Sequence, residues 1–309
     1  MIEGIQYVER NKLDVEKWNN CIRQADNELI YGYTWWLDHM ADNWSALVWD
    51  DYAAVMPLPW RRKYGFWYLY QPAFTASLGL FKNEDMPVTF ADFISAIPSR
   101  YRWWDINTNE SNRLSAVNNA IKVQHRKNGF VDGSKHSYES IQQAYSRLAK
   151  RKLAIAEEAG IRINGHATAD DVIGLYKKQY QQQHSTIRDK DYQSLHACMR
   201  IAMEKQNTTA YTSSLPDGKI TAFYLVLHDE HFSYSLLGGS TDKGKETASF
   251  YLLTDAAIKD AAAHKRIFRF EGSDIPGIAF FNQQFGPSLV EYLHIQSNSL
   301  PFPVNMLKK

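Results

Sequence analysis

The first residue that could do chemistry is Glu271, which ends the alternating stretch "IFRFE" and precedes Gly272 and Ser273. A carboxylate at a strand end can accept a proton from an attacking amine if burial raises its pKa. It can also accept hydrogen bonds from backbone N–H groups and so fix the turn that follows. Ser273 is a candidate to contact a substrate or to cap the next helix. Both roles of Glu271 stay open, and the turn residues around it favour the structural one.

Two glycines, Gly238 and Gly239, close a strand in "SLLGGSTDKG". Glycine lets a backbone approach a ligand closely, and exposed N–H groups there could stabilise an oxyanion. The alternative is a bulge or a strand end that needs an unusual backbone conformation. The sequence does not decide between these two interpretations.

Tyr224 and Tyr234 occupy neighbouring strands of one predicted meander, and either could give a proton to a leaving group. In a chain with 18 tyrosines, a core or rim position is the ordinary explanation for any one of them. His228 and His231 flank a turn, but a metal site needs further converging ligands. We therefore expect Tyr224 and Tyr234 as candidate catalytic residues and no metal.

Two basic clusters could contact phosphates of a nucleotide or of tRNA, or could be solvated faces. One is "WRRK" with Arg61 and Arg62, which we take as candidate substrate-binding residues, and the other is "RLAKRK", residues 147–152. The aromatic stretch around "WRRK" could form core and dimer surface, or could wall a cleft for a peptide or sugar acceptor. The sequence does not decide the oligomeric state.

The composition excludes several classes. The chain has 309 residues, 44% hydrophobic and 14% aromatic, with a formal net charge of +1. Such a chain can bury a large core, and its charge indicates no strong field toward nucleic acid or membrane. Two distant cysteines predict no disulfide framework, and no apolar run is long enough for a secretory signal or a membrane helix. We expect a cytoplasmic location. Hydrolase, kinase and dinucleotide motifs are absent from the sequence.

The order of predicted elements occurs twice. Each half reads as a strand, helices, three antiparallel strands, a helix and a strand. The stretch rich in Gly, Ser and Lys at residues 127–137 marks the boundary. We predict two α/β domains, residues 1–132 and 133–309, each a mixed, mainly antiparallel sheet flanked by helices.

This order resembles the GNAT acyltransferase fold, duplicated in one chain as in the FemAB family of peptidyl transferases and their uncharacterised bacterial relatives. Three stretches carry the resemblance: "FRFEGSDIPGIAFFNQQFG", "YSRLAKRKLAIAEEAGI" and "VMPLPWRRKYGFWYLYQPAFTASLGLF". In this family the fourth and fifth strands of the sheet splay apart, and donor and acceptor meet there. The resemblance therefore implies a cleft between "SLLGGS" and "FRFEGS" in the C-terminal domain.

The resemblance also implies a donor. GNAT enzymes cradle the coenzyme A pyrophosphate on a Gly-containing loop at a helix N-terminus. The matching stretch here is "TDKGKE", which keeps Gly244 but places Glu246 where a small residue belongs. If acetyl-CoA or another acyl-CoA binds, the expected contacts are Gly238, Gly239, Ser240, Lys243, Gly244 and Lys245. FemAB-like enzymes instead take an aminoacyl group from charged tRNA, which is the alternative donor.

The leading hypothesis is transfer of an acyl or aminoacyl group to an amine, on a small molecule or a peptide. The alternative is a non-catalytic binding protein that retains the double GNAT fold without a working coenzyme A loop. The altered "TDKGKE" stretch motivates this alternative.

Overall fold

The computed structural model describes residues 4–114, 121–181, 187–271 and 275–307. Its contacts divide the chain into two compact units, Met1–Arg126 with Glu291–Lys309, and Lys127–Val290. The predicted boundary after residue 132 stays a prediction about domains, because compactness does not show independent folding. The C-terminal segment belongs to the first unit, since His294–Asn298 pair with Asn107–Trp103.

The first unit is a mixed sheet with helices. Its strands lie in the order β1-β2-β3-β4-β6, and the end of the last strand of the chain follows β6. The elements are β1 Ile5–Glu9, α1 Val15–Gln24, α2 Thr34–Met40, β2 Trp44–Trp49, β3 Ala54–Lys63, β4 Phe66–Tyr70, β5 Phe81–Lys82, α3 Phe90–Ala96, β6 Tyr101–Asn107 and β7 Ile121–Asp132, of which residues 127–132 belong to the second unit.

The second unit repeats this plan. Its strands lie in the order β7-β12-β11-β10-β9-β8. The elements are α4 Tyr138–Gln143, α5 Arg147–Glu158, β8 Arg162–Asn164, α6 Ala169–Tyr180, α7 Asp189–Glu204, β9 Thr208–Ser214, β10 Ile220–His228, β11 Phe232–Ser240, α8 Asp242–Glu246, α9 Ser249–Ala263, β12 Ile267–Arg269, α10 Pro276–Gln283 and β13 Ser288–Asn298, of which residues 291–298 belong to the first unit.

The two sheets match strand for strand, which confirms the predicted mixed, mainly antiparallel architecture. β1-β2-β3-β4 are antiparallel neighbours and β6 joins β4 in parallel. In the same way β8-β9-β10-β11 are antiparallel and β12 joins β11 in parallel. A helix crosses from the fourth to the fifth strand in each unit, because parallel neighbours need a crossover connection.

Local sequence signals explain where the helices of the second unit begin and end. Thr168 caps α6 and forms a capping box with Asp171, as its position before an acidic first turn predicts. Gly160 follows α5 with φ 65°, the left-handed conformation that ends many helices. The core of this unit packs α9 between the sheet and α5, around Tyr224, Phe268 and Phe285. These elements hold β11 and β12, where the candidate site lies.

Candidate functional site

Strands β11 and β12 run side by side only briefly. Their parallel pairing joins Phe232–Tyr234 to Ile267–Arg269. Beyond it β11 continues to Ser240 beside β10, whereas the Phe270 N–H donates to the Gly129 carbonyl on the other side of β12. The two strands therefore part after Tyr234 and Arg269. We call this opening the fork, bounded by residues 235–240 and by Phe270 and Glu271.

A β-bulge lies at the mouth of the fork. Leu225 of β10 faces Leu237, but the next residue, Val226, faces Ser235, so β11 has one extra residue, Leu236. A bulge takes one residue out of the regular ladder and re-aims its neighbours, and bulges are frequent beside active sites. Leu236 thus lies outside the regular pairing, while Ser235 and residues 237–240 stay paired with β10.

Gly238 and Gly239 lie on β11 beyond the bulge, and aromatic rings cover them. A Cβ on Gly238 would lie 2.6 Å from Phe250 Cε2 and 2.7 Å from Tyr224 Cδ2. A Cβ on Gly239 would lie 2.5 Å from Tyr180 Cε2. The rings therefore leave no room for a side chain at either position. The roles of Gly238 and Gly239 as oxyanion donors or cofactor contacts stay predictions.

The stretch predicted as a phosphate loop is the short helix α8. Two of its N–H groups bond within the chain: Gly244 N donates to Thr241 Oγ1 at 3.1 Å and Lys245 N to the Thr241 carbonyl at 2.9 Å. Lys243 Nζ lies 2.8 Å from Glu246 and Lys245 Nζ 2.9 Å from Asp242.

Gly244 itself is required by packing. A Cβ there would lie 1.9 Å from the Thr221 carbonyl oxygen of β10. An open cradle for a pyrophosphate needs several N–H groups directed outward. The N–H groups of Gly244 and Lys245, which bond to Thr241, do not face outward to join such a cradle. Binding of coenzyme A by Ser240, Lys243, Gly244 and Lys245 stays a prediction.

Glu271 is buried at the fork in an ion pair. Arg269 Nε donates to Glu271 Oε1 at 2.8 Å, and the two side chains are 2% and 7% exposed. The guanidinium of Arg269 also lies against three aromatic rings. Its Cζ atom is 4.8, 5.1 and 5.4 Å from the ring centres of Phe130, Phe232 and Tyr234. Glu271 has φ 57°, a left-handed conformation that costs a non-glycine residue about 1–2 kcal/mol. The ion pair offsets this cost.

The hydroxyl groups of the two candidate tyrosines, Tyr224 and Tyr234, have different hydrogen-bond acceptors. The Tyr224 hydroxyl donates to Ser235 Oγ at 2.7 Å, and burial raises its pKa. The Tyr234 hydroxyl instead donates to Asp229, in the turn at the other end of β11 from Ser240. Burial, and then the charge of Asp229, raise the pKa of Tyr234 well above its ordinary value. The Tyr224 hydroxyl is thus joined by a hydrogen bond to Ser235, a residue of the fork.

The sequence patterns did not indicate three residues that lie at the fork: Ser235, Gln179 and Tyr180. Ser235 is the first residue of β11 beyond its pairing with β12. Gln179 Nε2 donates to the Ser240 carbonyl, and Tyr180 lies on Gly239. Both belong to the C-terminal turn of α6. The sequence gives little indication of Gln179 and Tyr180, because the contact of a helix end with a distant strand leaves no local sequence pattern.

The remaining candidates lie elsewhere. Arg61 and Arg62 lie on β3 of the first unit. Arg61 Nε donates to Asp42 at 2.6 Å and its guanidinium lies 3.8 Å from the Tyr70 ring centre, while Arg62 lies 5.8 Å from the Trp67 ring centre. Ser273 falls outside the described residues. The role of each in substrate binding stays a prediction.

Within the described parts of the chain, no group of three or more His, Cys, Asp or Glu side chains is arranged to hold a metal ion. The His228 ring is buried between Thr209 and Ser233, with its nitrogens 2.9 Å from each hydroxyl. Among the described residues, no helix is long and apolar enough to cross a membrane.

Comparison with known proteins supports the same fold. Residues 142–272 match the family model described as an acetyltransferase (GNAT) domain. No curated protein sequence matches the chain significantly. Among solved structures, FemX superposes with a TM-score of 0.67 at 11% identity, over 98% of this chain and 99% of FemX.

Two further structures agree. L-PGS from Bacillus licheniformis has a TM-score of 0.52 at 12% identity, over 95% of each chain. A tandem GNAT protein from the clavulanic acid biosynthesis pathway has a TM-score of 0.50 at 9% identity, over 96% of this chain and 99% of its own. Residues 142–272 are therefore similar to GNAT acetyltransferase domains, and the chain as a whole shares the tandem GNAT fold of these structures.

Proposed function

We propose that the second unit transfers an acyl or aminoacyl group to an amine at the fork. The observation that carries this proposal is the parting of β11 and β12 next to the bulge at Leu236. It lies inside the segment that matches the GNAT acetyltransferase domain. The tandem fold shared with FemX supports the same class of reaction.

The chemistry follows from the groups at the fork. The amine nitrogen attacks the carbonyl carbon of the donor ester or thioester, and its oxygen becomes an oxyanion. Main-chain N–H groups of residues 235–240, re-aimed by the bulge, stabilise this charge, and one such donor is worth roughly 3–4 kcal/mol. The bond to the leaving oxygen or sulfur then breaks and that atom takes up one proton. The attacking nitrogen releases one proton to solvent, so a neutral amide forms, and the proton donor regains its proton from solvent. Positioning of the two substrates supplies much of the remaining acceleration.

Tyr224 and Ser235 are our proposed route for this proton. Burial raises the pKa of Tyr224, so the phenol is protonated at neutral pH. Its hydrogen bond passes the proton to Ser235 Oγ, which can donate to the leaving group at the fork while Tyr224 reprotonates Ser235. Glu271, held by Arg269, acts in this proposal as the residue that fixes the turn.

A transfer screen tests the proposal. The chain is incubated with acetyl-CoA or with charged tRNA and a panel of amino acids, amino sugars and short peptides, and new amides are detected by mass spectrometry. We expect product with at least one pair, and a loss of about 100-fold or more in Tyr224→Phe and Ser235→Ala. Tyr138→Phe is the matched control, because its hydroxyl contacts Asp255 on α9, outside the fork.

The alternative is a binding protein without turnover. The closed helix α8, with both its lysines ion-paired to neighbouring acids, favours this alternative. It predicts saturable binding of a donor or an amine without any new amide. Absence of product with every pair, together with such binding, would overturn the transfer proposal.

A further inference from the structure

Tyr180 occupies the face of β11 at the fork. Its ring carbon Cε2 and its hydroxyl oxygen lie 2.5 and 2.6 Å from the position that a Cβ of Gly239 would take. Tyr176, one turn earlier on α6, supports the ring at a centroid distance of 5.1 Å. Gln179 Nε2 also donates to the Tyr180 hydroxyl at 3.2 Å. The ring is thus held against the strand by its own helix.

The other face of the same strand end is also covered. Phe250, at the start of α9, lies 2.6 Å from the position of a Gly238 Cβ and contacts Tyr224 at a ring distance of 5.0 Å. The Ser240 carbonyl accepts a hydrogen bond from Gln179. Side chains from two helices therefore enclose β11 from both faces where it leaves β12.

A linear acyl-thioester arm places specific demands on such a site. An extended chain that lies along a strand edge needs accessible main-chain groups and room on the adjoining face. Its phosphate end needs outward N–H groups at a helix start. The rings on Gly238 and Gly239 restrict the access of such a chain to the strand. In α8 the N–H groups of Gly244 and Lys245 already bond to Thr241, which reduces the number of donors for its phosphate end.

We propose that Tyr180 is a specificity-determining residue that closes the β11 side of the fork to a linear acyl-thioester arm. The inference rests on the proposed transfer function, and it selects donors whose acyl group reaches the fork without lying along β11. Tyr180 is suited to this role because it is half-buried and comes from the end of a helix. Its removal leaves a space directly above Gly239, where strand main chain becomes accessible.

The test measures binding of acetyl-CoA and of acetyl-pantetheine, the arm without its nucleotide, by isothermal titration calorimetry. Tyr180→Ala vacates the space, whereas Tyr180→Phe keeps the ring. Lys178→Ala, an exposed position on the same helix, controls for effects on α6. If Tyr180→Ala is unfolded at the temperature of the titration, Tyr180→Leu replaces it. The leucine side chain keeps contact with Tyr176 and leaves empty the space that the outer part of the Tyr180 ring occupied.

We expect at least about a tenfold gain in affinity for both probes in the Ala or Leu variant, which is about 1.4 kcal/mol. Both probes should bind only weakly to the wild type, to Tyr180→Phe and to Lys178→Ala. Tight binding by the wild type, no gain on removal of the ring, or an equal gain in Tyr180→Phe would overturn the inference.

The transfer screen distinguishes this result from a failure of the proposed function. A gain in binding without product in any screen refutes transfer but leaves the role of Tyr180 intact. Product from an aminoacyl donor, without any gain in Tyr180→Ala, refutes the role of Tyr180 and leaves transfer intact.

Discussion

Replacing Glu271 by Gln separates the two roles that this carboxylate could have. Arg269 is 1% exposed, and its Nε donates to Glu271 Oε1 at 2.8 Å. The amide of Gln keeps the shape of the side chain but removes its charge, so the guanidinium stays buried without its counter-charge. If Glu271 fixes the turn, Glu271→Gln reduces stability and leaves the chemistry of folded molecules intact.

The expected loss follows from the burial of the pair. Removing one partner of a buried ion pair costs about 3–5 kcal/mol, because the remaining charge is left desolvated. For a folding unit of this size, 1 kcal/mol corresponds to roughly 2–4 °C in melting temperature, so the loss should be roughly 6–20 °C. Removing both charges in Arg269→Met with Glu271→Gln should cost less than the two single changes together, with a coupling energy of about 2–3 kcal/mol.

Urea unfolding of the four proteins gives the double-mutant cycle, and transfer rates are measured well below the lowest melting temperature. We expect the Glu271→Gln rate to stay within about threefold of the wild type, since a lost general base costs about 100-fold or more. Unchanged stability with a rate reduced that far would refute the structural role and assign proton transfer to Glu271.

Two further predictions concern stability. Burial, followed by the charges of Arg266 and His264, lowers the pKa of His228 from 6.5 to about 3. Between these two pH values the unfolded chain binds a proton that the folded chain does not. His228 therefore stabilises the fold fully above pH 6.5, and this stabilisation is lost as the pH falls toward 3. Between pH 7.5 and 5 the wild type should lose about 2 kcal/mol more than His228→Gln in urea unfolding; equal pH dependence would contradict this. Gly244→Ala should cost about 3 kcal/mol, because its Cβ would lie 1.9 Å from the Thr221 carbonyl oxygen. Gly174→Ala has no atom within 4 Å of the new Cβ and lies in α6, so it should gain about 0.5–1 kcal/mol, and a loss there would show that these distances do not govern stability.

Patterns with short range in sequence predicted the fold of the second unit. The meander β9-β10-β11 follows from alternating residues and two polar turns, and the structure confirms it. The same element order in both halves predicted two GNAT-like sheets, and their matching strand orders confirm the repeat.

The parts of the site that depend on distant contacts could not be predicted. The alternation in "IFRFE" placed Arg269 on one side of its strand, but it did not show that Arg269 turns to Glu271. Tyr180 and Gly239 are far apart in the chain, and no periodicity relates them. The altered "TDKGKE" stretch indicated a departure from a phosphate loop, whereas its closure into α8 depends on contact with β10.

The central claim is that transfer takes place at the fork, and a blocking label tests it most directly. Cys21 and Cys198 are the chain's two cysteines and both are buried, so a thiol reagent should react selectively with a new cysteine. Leu236→Cys places that cysteine on the bulge at the fork, and Ser140→Cys places it on the exposed face of α4 as the control.

Transfer is then measured before and after labelling with the donor and amine found in the screen. Labelled Leu236→Cys should lose transfer, by about 100-fold or more relative to the unlabelled variant, while labelled Ser140→Cys should keep it. Full transfer by completely labelled Leu236→Cys would contradict the account.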